Sequence, residues 1–160
     1  MLLRARIVFP VSQPPIVDGA VRVEQGCVAE VGKSSDLCGD AEDLGDVILM
    51  PGLVNAHCHL DYTSLAGCIP APKTFNEWIS GIMRHKKGMD DRDWCESWLK
   101  GAKQSLQSGT TTVGNIETRR DLLVALWPKT PLRLLSFLEL IVVRPESDSG
   151  NVVRDAVNWL

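Results

Sequence analysis

The chain has 160 residues, of which 44% are hydrophobic and 23% charged, and its formal net charge is −3. This composition is typical of a folded globular protein and excludes disordered and fibrous classes. The basic residues form no cluster beyond the end of one predicted helix, Arg84 to Lys87, so neither a nucleic-acid partner nor an anionic membrane surface is expected. The sequence has no apolar run long enough to span a bilayer and no secretory signal at its start, so we expect a cytoplasmic protein.

Cysteine usage gives no indication of a disulfide framework or a zinc-ribbon site. The five cysteines are odd in number and contain no C-x-x-C pair; they are Cys27, Cys38, Cys58, Cys68 and Cys95. Reduced thiols are therefore expected.

The first 50 residues are predicted to be all β. Residues 2–9 alternate in part between apolar and polar side chains, as a half-buried strand does. The stretch GAVRVEQGCVAEVG has an alternating run on each side of Gly26, which predicts a hairpin. The character of the chain changes near Met50, where a Pro-Gly pair interrupts an apolar strand. We therefore expect a small β-rich domain over residues 1–50 and a second domain over residues 51–160.

Helical patterns alternate with apolar strands in the second domain. A helix is predicted from Thr74, which forms a T-x-x-E capping box with Glu77, and another from Asp91 to Ser108, ended by Gly109. A strand (TTTVGNIE), a short helix (RRDLLVALW), an apolar strand (LRLLSFLELIVV) and a last helix (NVVRDAVNWL) follow. This order predicts an α/β fold in which helices cover a parallel sheet.

Two histidines lie one residue apart at the end of the strand in MPGLVNAHCHLDY. Because side chains alternate along a strand, His57 and His59 are expected on the same face, roughly 7 Å apart along the strand. Such imidazoles suit zinc, iron, copper or nickel, and β/α folds collect their active-site groups at the carboxyl ends of strands. On spacing alone, however, an H-x-H pair is more often two surface or hydrogen-bonded histidines, so both interpretations stand at this point.

Four polar side chains near the strand ends are candidates for the same site. Asp61 shares the alternation phase of the histidines if the strand continues, and it would then orient an imidazole. Glu117 and Glu139 lie at or near the ends of the next two strands, and either carboxylate is a candidate to face a metal cavity. Asn115 is similarly placed, with weaker support.

Other side chains have simpler explanations. Trp78 and Phe75 are candidates to line a substrate mouth, although a tryptophan on the apolar stripe of a helix more often belongs to the core. His85 lies in the last turn of a predicted helix beside two lysines, which is a solvated position. Cys58 and Cys68 flank the histidines, and buried, inert thiols are expected for both.

The stretch ILMPGLVNAHCHLDYTSLAG, followed by FNEWI and then SGTTTVGNIE, resembles the start of an amidohydrolase-superfamily enzyme. The resemblance is to the branch that contains cytosine deaminase, chlorohydrolase and nucleoside-deaminase relatives. It implies a (β/α)8 barrel carrying a small β-sandwich, with a divalent metal ion at the carboxyl end of the strands. His57 and His59 correspond to the first two metal ligands, and zinc is expected, with iron as the alternative.

The resemblance also implies what the reaction would be. The metal activates water to attack a carbon–nitrogen bond, as in the deamination of an aminated nitrogen heterocycle. The family's remaining ligands and its acid and base residues come from later strands, so no catalytic residue is assigned here. A closed barrel takes about 250 residues, and residues 51–160 are enough for roughly three βα units. We therefore expect an incomplete barrel and a truncated chain whose own activity is in question.

Two alternatives stay open. The chain is a non-catalytic remnant that binds a partner through an open sheet edge, or several copies assemble a site together as a homo-oligomer. In either case the strand LRLLSFLELIVV is a predicted aggregation site if its edge is unpaired.

Overall fold

A computed structural model of the chain describes residues 1–140 and 149–158. The chain divides into two compact units, Met1–Gly52 and Leu53–Leu160. Within the described residues, no helix is both long enough and apolar enough to cross a membrane.

The first unit is a single five-stranded sheet. Its strands are β1 (Leu2–Val8), β2 (Ile16–Glu24), β3 (Cys27–Lys33), β4 (Ala41–Asp43) and β5 (Ile48–Leu49). The sheet has the order β3-β2-β1-β4, and β5 also pairs with β1. The predicted first strand and hairpin are confirmed, and the hairpin turns at Gln25 and Gly26, whose φ values of 50° and 77° lie in the left-handed region. Residues 1–52 contain this one sheet and no second layer of a sandwich.

The second unit is α/β, as predicted. It contains β6 (Leu53–Cys58), α1 (Phe75–Lys86), α2 (Asp91–Gln107), β7 (Thr110–Glu117), α3 (Arg120–Leu126), β8 (Arg133–Leu138) and α4 (Ser149–Val157). A 3₁₀ helix, Leu60–Leu65, follows β6. The three strands are parallel, in the order β6-β7-β8. The last predicted strand ends earlier than expected, at Leu138; residues 141–143 of that prediction and residues 159–160 of the last predicted helix lie outside the described residues.

The two faces of this sheet differ in what covers them. On one face the side chains of β7 pack against α2 and α3 in a core made of Leu60, Trp94, Trp98, Ala102, Val113, Leu123, Leu126 and Leu132. On the other face, Leu135 and Phe137 of β8 alternate with the core-facing positions and are 52% and 51% exposed. The site described below lies at the carboxyl end of the strands.

The predicted helices α1 and α2 are both present, but the capping of α1 differs from the prediction. Thr74 caps α1 by accepting a hydrogen bond from the Glu77 amide (3.2 Å), but the Glu77 carboxylate accepts from the Lys73 amide (2.8 Å), so the expected capping box is only half formed. A complete capping box instead opens α2, between Asp90 and Asp93. The apolar side chains that recur every three to four residues along α1 are largely exposed, and Ile82 is the buried one among them.

Candidate metal site

The structure brings the two histidine rings together at the end of β6. Strand β6 ends at Cys58, so His57 lies within the strand and His59 is the residue that caps the following 3₁₀ helix. The ring centroids are 5.4 Å apart and the ring planes meet at 66°. His57 is exposed and His59 is half-buried. Burial lowers the pKa of His59, although the charges of Glu139 and Asp61 oppose this shift, so its neutral form is favoured.

The segment after His59 is fixed by hydrogen bonds to distant parts of the chain. The Leu60 amide donates to Asn115 Oδ1 in β7 (2.9 Å), and the Ser64 amide donates to Ser97 Oγ in α2 (2.9 Å). Ser97 Oγ in turn donates to the Asp61 carbonyl (2.8 Å). These bonds hold the 3₁₀ helix, and with it the backbone of His59, against α2 and the sheet.

Gly101 allows α2 to approach this segment closely. A β-carbon at this position would lie 2.8 Å from the Leu60 carbonyl oxygen and 2.3 Å from Thr63 Oγ1. Contacts this short do not occur between real side chains and backbone, so only glycine fits without movement of one element.

The Tyr62 ring stacks on the His59 imidazole. The centroids are 4.4 Å apart and the planes meet at 15°. The Lys86 ammonium, from the last turn of α1, lies over the Tyr62 ring, 4.4 Å from its centroid. Burial raises the pKa of Tyr62 to about 12, with the charges of Glu139 and Asp61 adding to the shift, so the hydroxyl stays protonated. Sequence reasoning did not identify Tyr62 or Lys86 as site residues.

Asp61 does not have the position expected for it. The strand does not continue past Cys58, so Asp61 lies in the 3₁₀ helix and its side chain is completely buried. Its Oδ2 accepts hydrogen bonds from Lys86 Nζ (2.9 Å), Thr118 Oγ1 (3.0 Å) and Trp94 Nε1 (3.2 Å). The hydrogen bonds of Asp61 Oδ2 thus connect α1, α2 and the end of β7. Its Oδ1 is buried without a partner among the described residues, and direct support of an imidazole by Asp61 stays a prediction.

The two glutamate candidates lie in different environments. Glu117 is 1% exposed on the helix-facing side of β7, where Trp98 Nε1 (3.3 Å) and Ser136 Oγ (3.1 Å) donate to its carboxylate. Burial raises its pKa, and these hydrogen bonds oppose the shift. Glu117 therefore belongs to the helix interface rather than to a cavity beside the histidines. Asn115 lies on the same side of β7 and holds the Leu60 amide.

Glu139 lies near the histidines. It follows β8 and is half-buried, and its Oε2 is buried without a hydrogen-bond partner among the described residues. It lines a cavity of about 740 Å³ together with Tyr62, Lys86 and Thr118. Its charge also raises the pKa of both His59 and Tyr62, as expected of a carboxylate close to the two rings.

The remaining sequence candidates lie away from this cavity or are buried elsewhere. Trp78 is 41% and Phe75 70% exposed, with ring centroids 5.6 Å apart, so the expectation of a core tryptophan is wrong. Burial raises the pKa of the half-buried Cys58 thiol, as predicted for an inert cysteine. The expectation of burial is wrong for Cys68, which is exposed after a turn at Gly67. His85 is half-buried beside a separate cavity of about 700 Å³.

The donor set at the strand end is compatible with a divalent metal ion but incomplete. Two close imidazoles are ordinary zinc or iron ligands, and His59 Nδ1 is buried without a hydrogen-bond partner in the described part of the chain. No group of three His, Cys, Asp or Glu side chains among the described residues is arranged to hold a metal ion. The two histidines therefore fit part of a metal site, and further ligands are needed.

Comparison with known proteins identifies the family. The family model described as "Amidohydrolase family" matches residues 48–132, which is more than half of the chain and includes both histidines. The chain belongs to the amidohydrolase family.

A curated relative of this amidohydrolase-family chain is a deaminase. The 5-methylthioadenosine/S-adenosylhomocysteine deaminase of Nitratidesulfovibrio vulgaris is 30% identical over 127 residues, which cover 76% of this chain and 28% of the deaminase. The imidazolonepropionase of Solibacter usitatus is 44% identical over 50 residues, which cover 28% of this chain and 12% of that enzyme. The chain thus spans little more than a quarter of the first relative's length.

Solved structures share the fold of the chain. The guanine deaminase of C. acetobutylicum matches 98% of this chain with a TM-score of 0.77 and 14% identity, over 41% of its own length. An adenosine deaminase from Xanthomonas campestris, which has bound zinc, matches 98% of this chain with a TM-score of 0.71 and 23% identity, over 38% of its own length. At these identities the likeness concerns the fold.

Proposed function

We propose that this chain supplies the first two metal ligands, His57 and His59, of a hydrolase that deaminates an aminated nitrogen heterocycle. The observation that carries the proposal is the pair of imidazoles, 5.4 Å apart, at the carboxyl end of a parallel strand in a chain of the amidohydrolase family. Zinc is the proposed cation, with iron as the alternative, since both accept histidine ligands. The zinc bound by the adenosine deaminase of similar fold supports the first choice.

We also propose that strands β6, β7 and β8 are the first three strands of a (β/α)8 barrel. Their parallel order and the half-exposed side chains on the face away from the helices support this assignment. Residues 51–160 would then be the first part of the barrel domain. Residues 1–50 would be the β-rich small domain, of which further strands would complete a sandwich.

Hydrolytic deamination breaks the bond between a ring carbon and its amino nitrogen, forms a carbon–oxygen bond from water, and releases ammonia. When bound, a divalent cation supplies the Lewis-acid chemistry that makes water a nucleophile at neutral pH. His57 and His59 would hold the cation, and the burial that lowers the pKa of His59 favours the neutral ring that a metal needs.

Glu139 is the proposed substrate-facing carboxylate of this part of the site. Glu139 lines the cavity shared with Tyr62, and its Oε2 has no hydrogen-bond partner among the described residues. A carboxylate oxygen accepts a hydrogen bond from an amino group or ring N–H. The neutral Tyr62 hydroxyl keeps its proton over the working pH range because its pKa is raised to about 12. A nitrogen heterocycle is the proposed substrate class, in keeping with the names of the related deaminases.

Metal content is the first test. We expect zinc or iron by elemental analysis in the complete protein, whose later strands would supply the remaining ligands, and its loss in the His57→Ala/His59→Ala variant. His85→Ala is the matched control, because it removes the third histidine of the chain from a position outside the site. Metal retained at the wild-type level in the double variant would refute the assignment of these two ligands.

Ammonia release is the second test. The complete enzyme, of which this chain is the proposed first part, is loaded with metal and assayed with methylthioadenosine, adenosine and guanine. Deamination of at least one compound is expected, and it should disappear in the His57→Ala variant. Turnover that survives complete metal removal would exclude the proposed chemistry.

A non-catalytic module that binds a partner is the second candidate function. It is favoured by the absence of a three-ligand metal group among the described residues and by the half-exposed Leu135 and Phe137 side chains of β8. A protein that binds neither zinc nor iron and forms a defined complex would support it. Contribution of ligands by a second copy of the chain predicts instead one metal ion shared by a homo-oligomer.

A further inference from the structure

The Tyr62 ring forms an indirect connection between α1 and the metal ligands proposed above. Its stack on His59 brings the two ring centroids within 4.4 Å in nearly parallel planes, and the Lys86 ammonium lies over the same tyrosine ring. His59 makes a further ring contact with His57. The orientation of the His59 plane therefore depends on where Tyr62 is held.

Lys86 is itself held tightly. Its side chain is 18% exposed, and its ammonium donates to Asp61 Oδ2 (2.9 Å) and Thr118 Oγ1 (3.0 Å). Thr118 Oγ1 also donates to Asp61, so the three side chains form a closed triangle. Trp94 Nε1 adds a further bond to the same carboxylate oxygen. This arrangement fixes the position of the cation rather than merely neutralising it, because each partner comes from a different element of the fold.

A role limited to stability does not account for this geometry well. A buried ion pair contributes little net stability compared with apolar side chains of similar volume. The cation is instead placed where it attracts the face of an aromatic ring, and that ring covers a proposed metal ligand. Residues that orient a ligand from outside the coordination shell commonly affect metal affinity by 10-fold or more.

We propose that Lys86 is a positioning residue for His59. Held by Asp61 and Thr118, its ammonium fixes the Tyr62 ring, and the ring fixes the plane in which His59 presents its nitrogen to the metal. The metal-binding part of this inference rests on the proposed function above. The ring geometry does not, since only side chains of this chain form it.

Nuclear magnetic resonance of the histidine rings in the metal-free protein tests the geometry directly. The chain has three histidines, so His57→Ala and His85→Ala assign the His59 resonances. A stacked Tyr62 shifts the His59 ring protons by its ring current, and Tyr62→Leu gives the value without that shift. We expect Lys86→Met to lose most of the shift.

Two controls separate positioning from general damage. Arg84→Met removes a cation from the same helix and the same cavity wall, and should leave the His59 shift unchanged. Trp94→Phe removes a different hydrogen bond to Asp61 and should lower stability without releasing Tyr62. If Lys86→Met fails to fold, Lys86→Met/Asp61→Asn removes the uncompensated buried charge and is measured instead. A folded variant without the lysine that keeps the wild-type His59 shift overturns the proposal.

Zinc affinity, measured by competition with a chelator, tests the consequence for the ligand. Lys86→Met is expected to weaken zinc binding by about 10-fold, and to have no further effect in a Tyr62→Leu background, because the lysine acts through that ring. Equal effects in both backgrounds would overturn the proposed route. A complete wild-type protein that binds neither zinc nor iron at His57 and His59 refutes the proposed function, whereas the His59 shift still decides the role of Lys86.

Discussion

Replacing Gly101 with alanine tests how closely α2 must approach the segment that carries His59. The added β-carbon would lie 2.3 Å from Thr63 Oγ1 and 2.8 Å from the carbonyl oxygen of Leu60. The threonine hydroxyl can turn away, but it then loses its own 2.8 Å hydrogen bond to the Leu60 carbonyl. The carbonyl is backbone and can move only if the whole 3₁₀ helix moves.

Three terms set the expected size of the effect. Alanine gains about 1 kcal/mol over glycine in a helix interior. Overpacking of a close-packed contact costs about 1–3 kcal/mol, and the lost hydrogen bond of Thr63 costs about 1 kcal/mol more. We therefore expect Gly101→Ala to lower the free energy of unfolding by about 1–3 kcal/mol.

Gly81→Ala is the matched control, since Gly81 also lies in a helix, α1. Its added β-carbon would come within 2.8 Å of Ile69 Cγ2, the end of a side chain that can rotate, and the next two nearest atoms belong to the same side chain. This variant should stay within about 1 kcal/mol of the wild type. Urea unfolding followed by tryptophan fluorescence measures both. If Gly101→Ala is as stable as Gly81→Ala, the close approach of α2 does not constrain the 3₁₀ helix and the reasoning is refuted.

Trp98→Phe should lower the free energy of unfolding by about 1–3 kcal/mol, because the buried Glu117 carboxylate loses a hydrogen-bond donor. Urea unfolding measures this loss, and an unchanged free energy of unfolding would contradict the prediction. Burial raises the folded-state pKa of Glu117 above its ordinary 4.5, so its stabilising contribution is complete below pH 4.5 and is lost as the pH rises through the folded-state pKa. Glu117→Gln should remove that pH dependence of the free energy of unfolding. The same pH profile in the variant and the wild type would show that Glu117 is not its source. Leu135→Lys/Phe137→Lys should reduce light scattering by the purified chain, because it places charge on the exposed strand β8. The edge of β8 that faces away from β7 has no partner strand among the described residues. Equal scattering would show that this edge does not drive association.

Periodicity and end signals were sufficient to predict the main elements. The glycine that follows α2 predicted the end of that helix to within a residue, because Gly109 has the left-handed φ of +80° that ends a helix readily. Alternation on both sides of Gly26 predicted the hairpin, because Gly26 also has a left-handed φ, of +77°, which a tight turn needs. The helical spacing of apolar residues in α1 predicted a helix correctly, but it did not predict that most of these side chains are exposed. Periodicity shows which side of a helix is apolar, and not whether another element covers that side.

The site was less accessible to sequence reasoning. Strand β6 stops at Cys58 with no proline or glycine to mark its end, so the phase assumed for Asp61 did not hold. Both alternating sets in β7 contain a branched apolar residue, Val113 in one and Ile116 in the other, and the side on which Glu117 lies was therefore ambiguous. The Lys86 contact with Asp61 spans 25 residues and depends on how α1 docks, which no local pattern encodes.

The hydrogen bonds that fasten the 3₁₀ helix after His59 join residues 33, 36 and 55 positions apart in the chain. Partners this remote can meet only after β7 has paired and α2 has docked, so the backbone around His59 should become ordered late in folding. Conversely, a fluctuation that detaches α2 breaks both Ser97 bonds together, and the 3₁₀ helix then keeps only its bond from Leu60 to β7 among these three. The amide hydrogen of Ser64 should then exchange with solvent in concert with those of α2, as one cooperative unit, whereas that of Leu60 stays bonded to Asn115. The 3₁₀ helix that follows His59 would thus be only partly held whenever a helix that begins more than 30 residues later has detached.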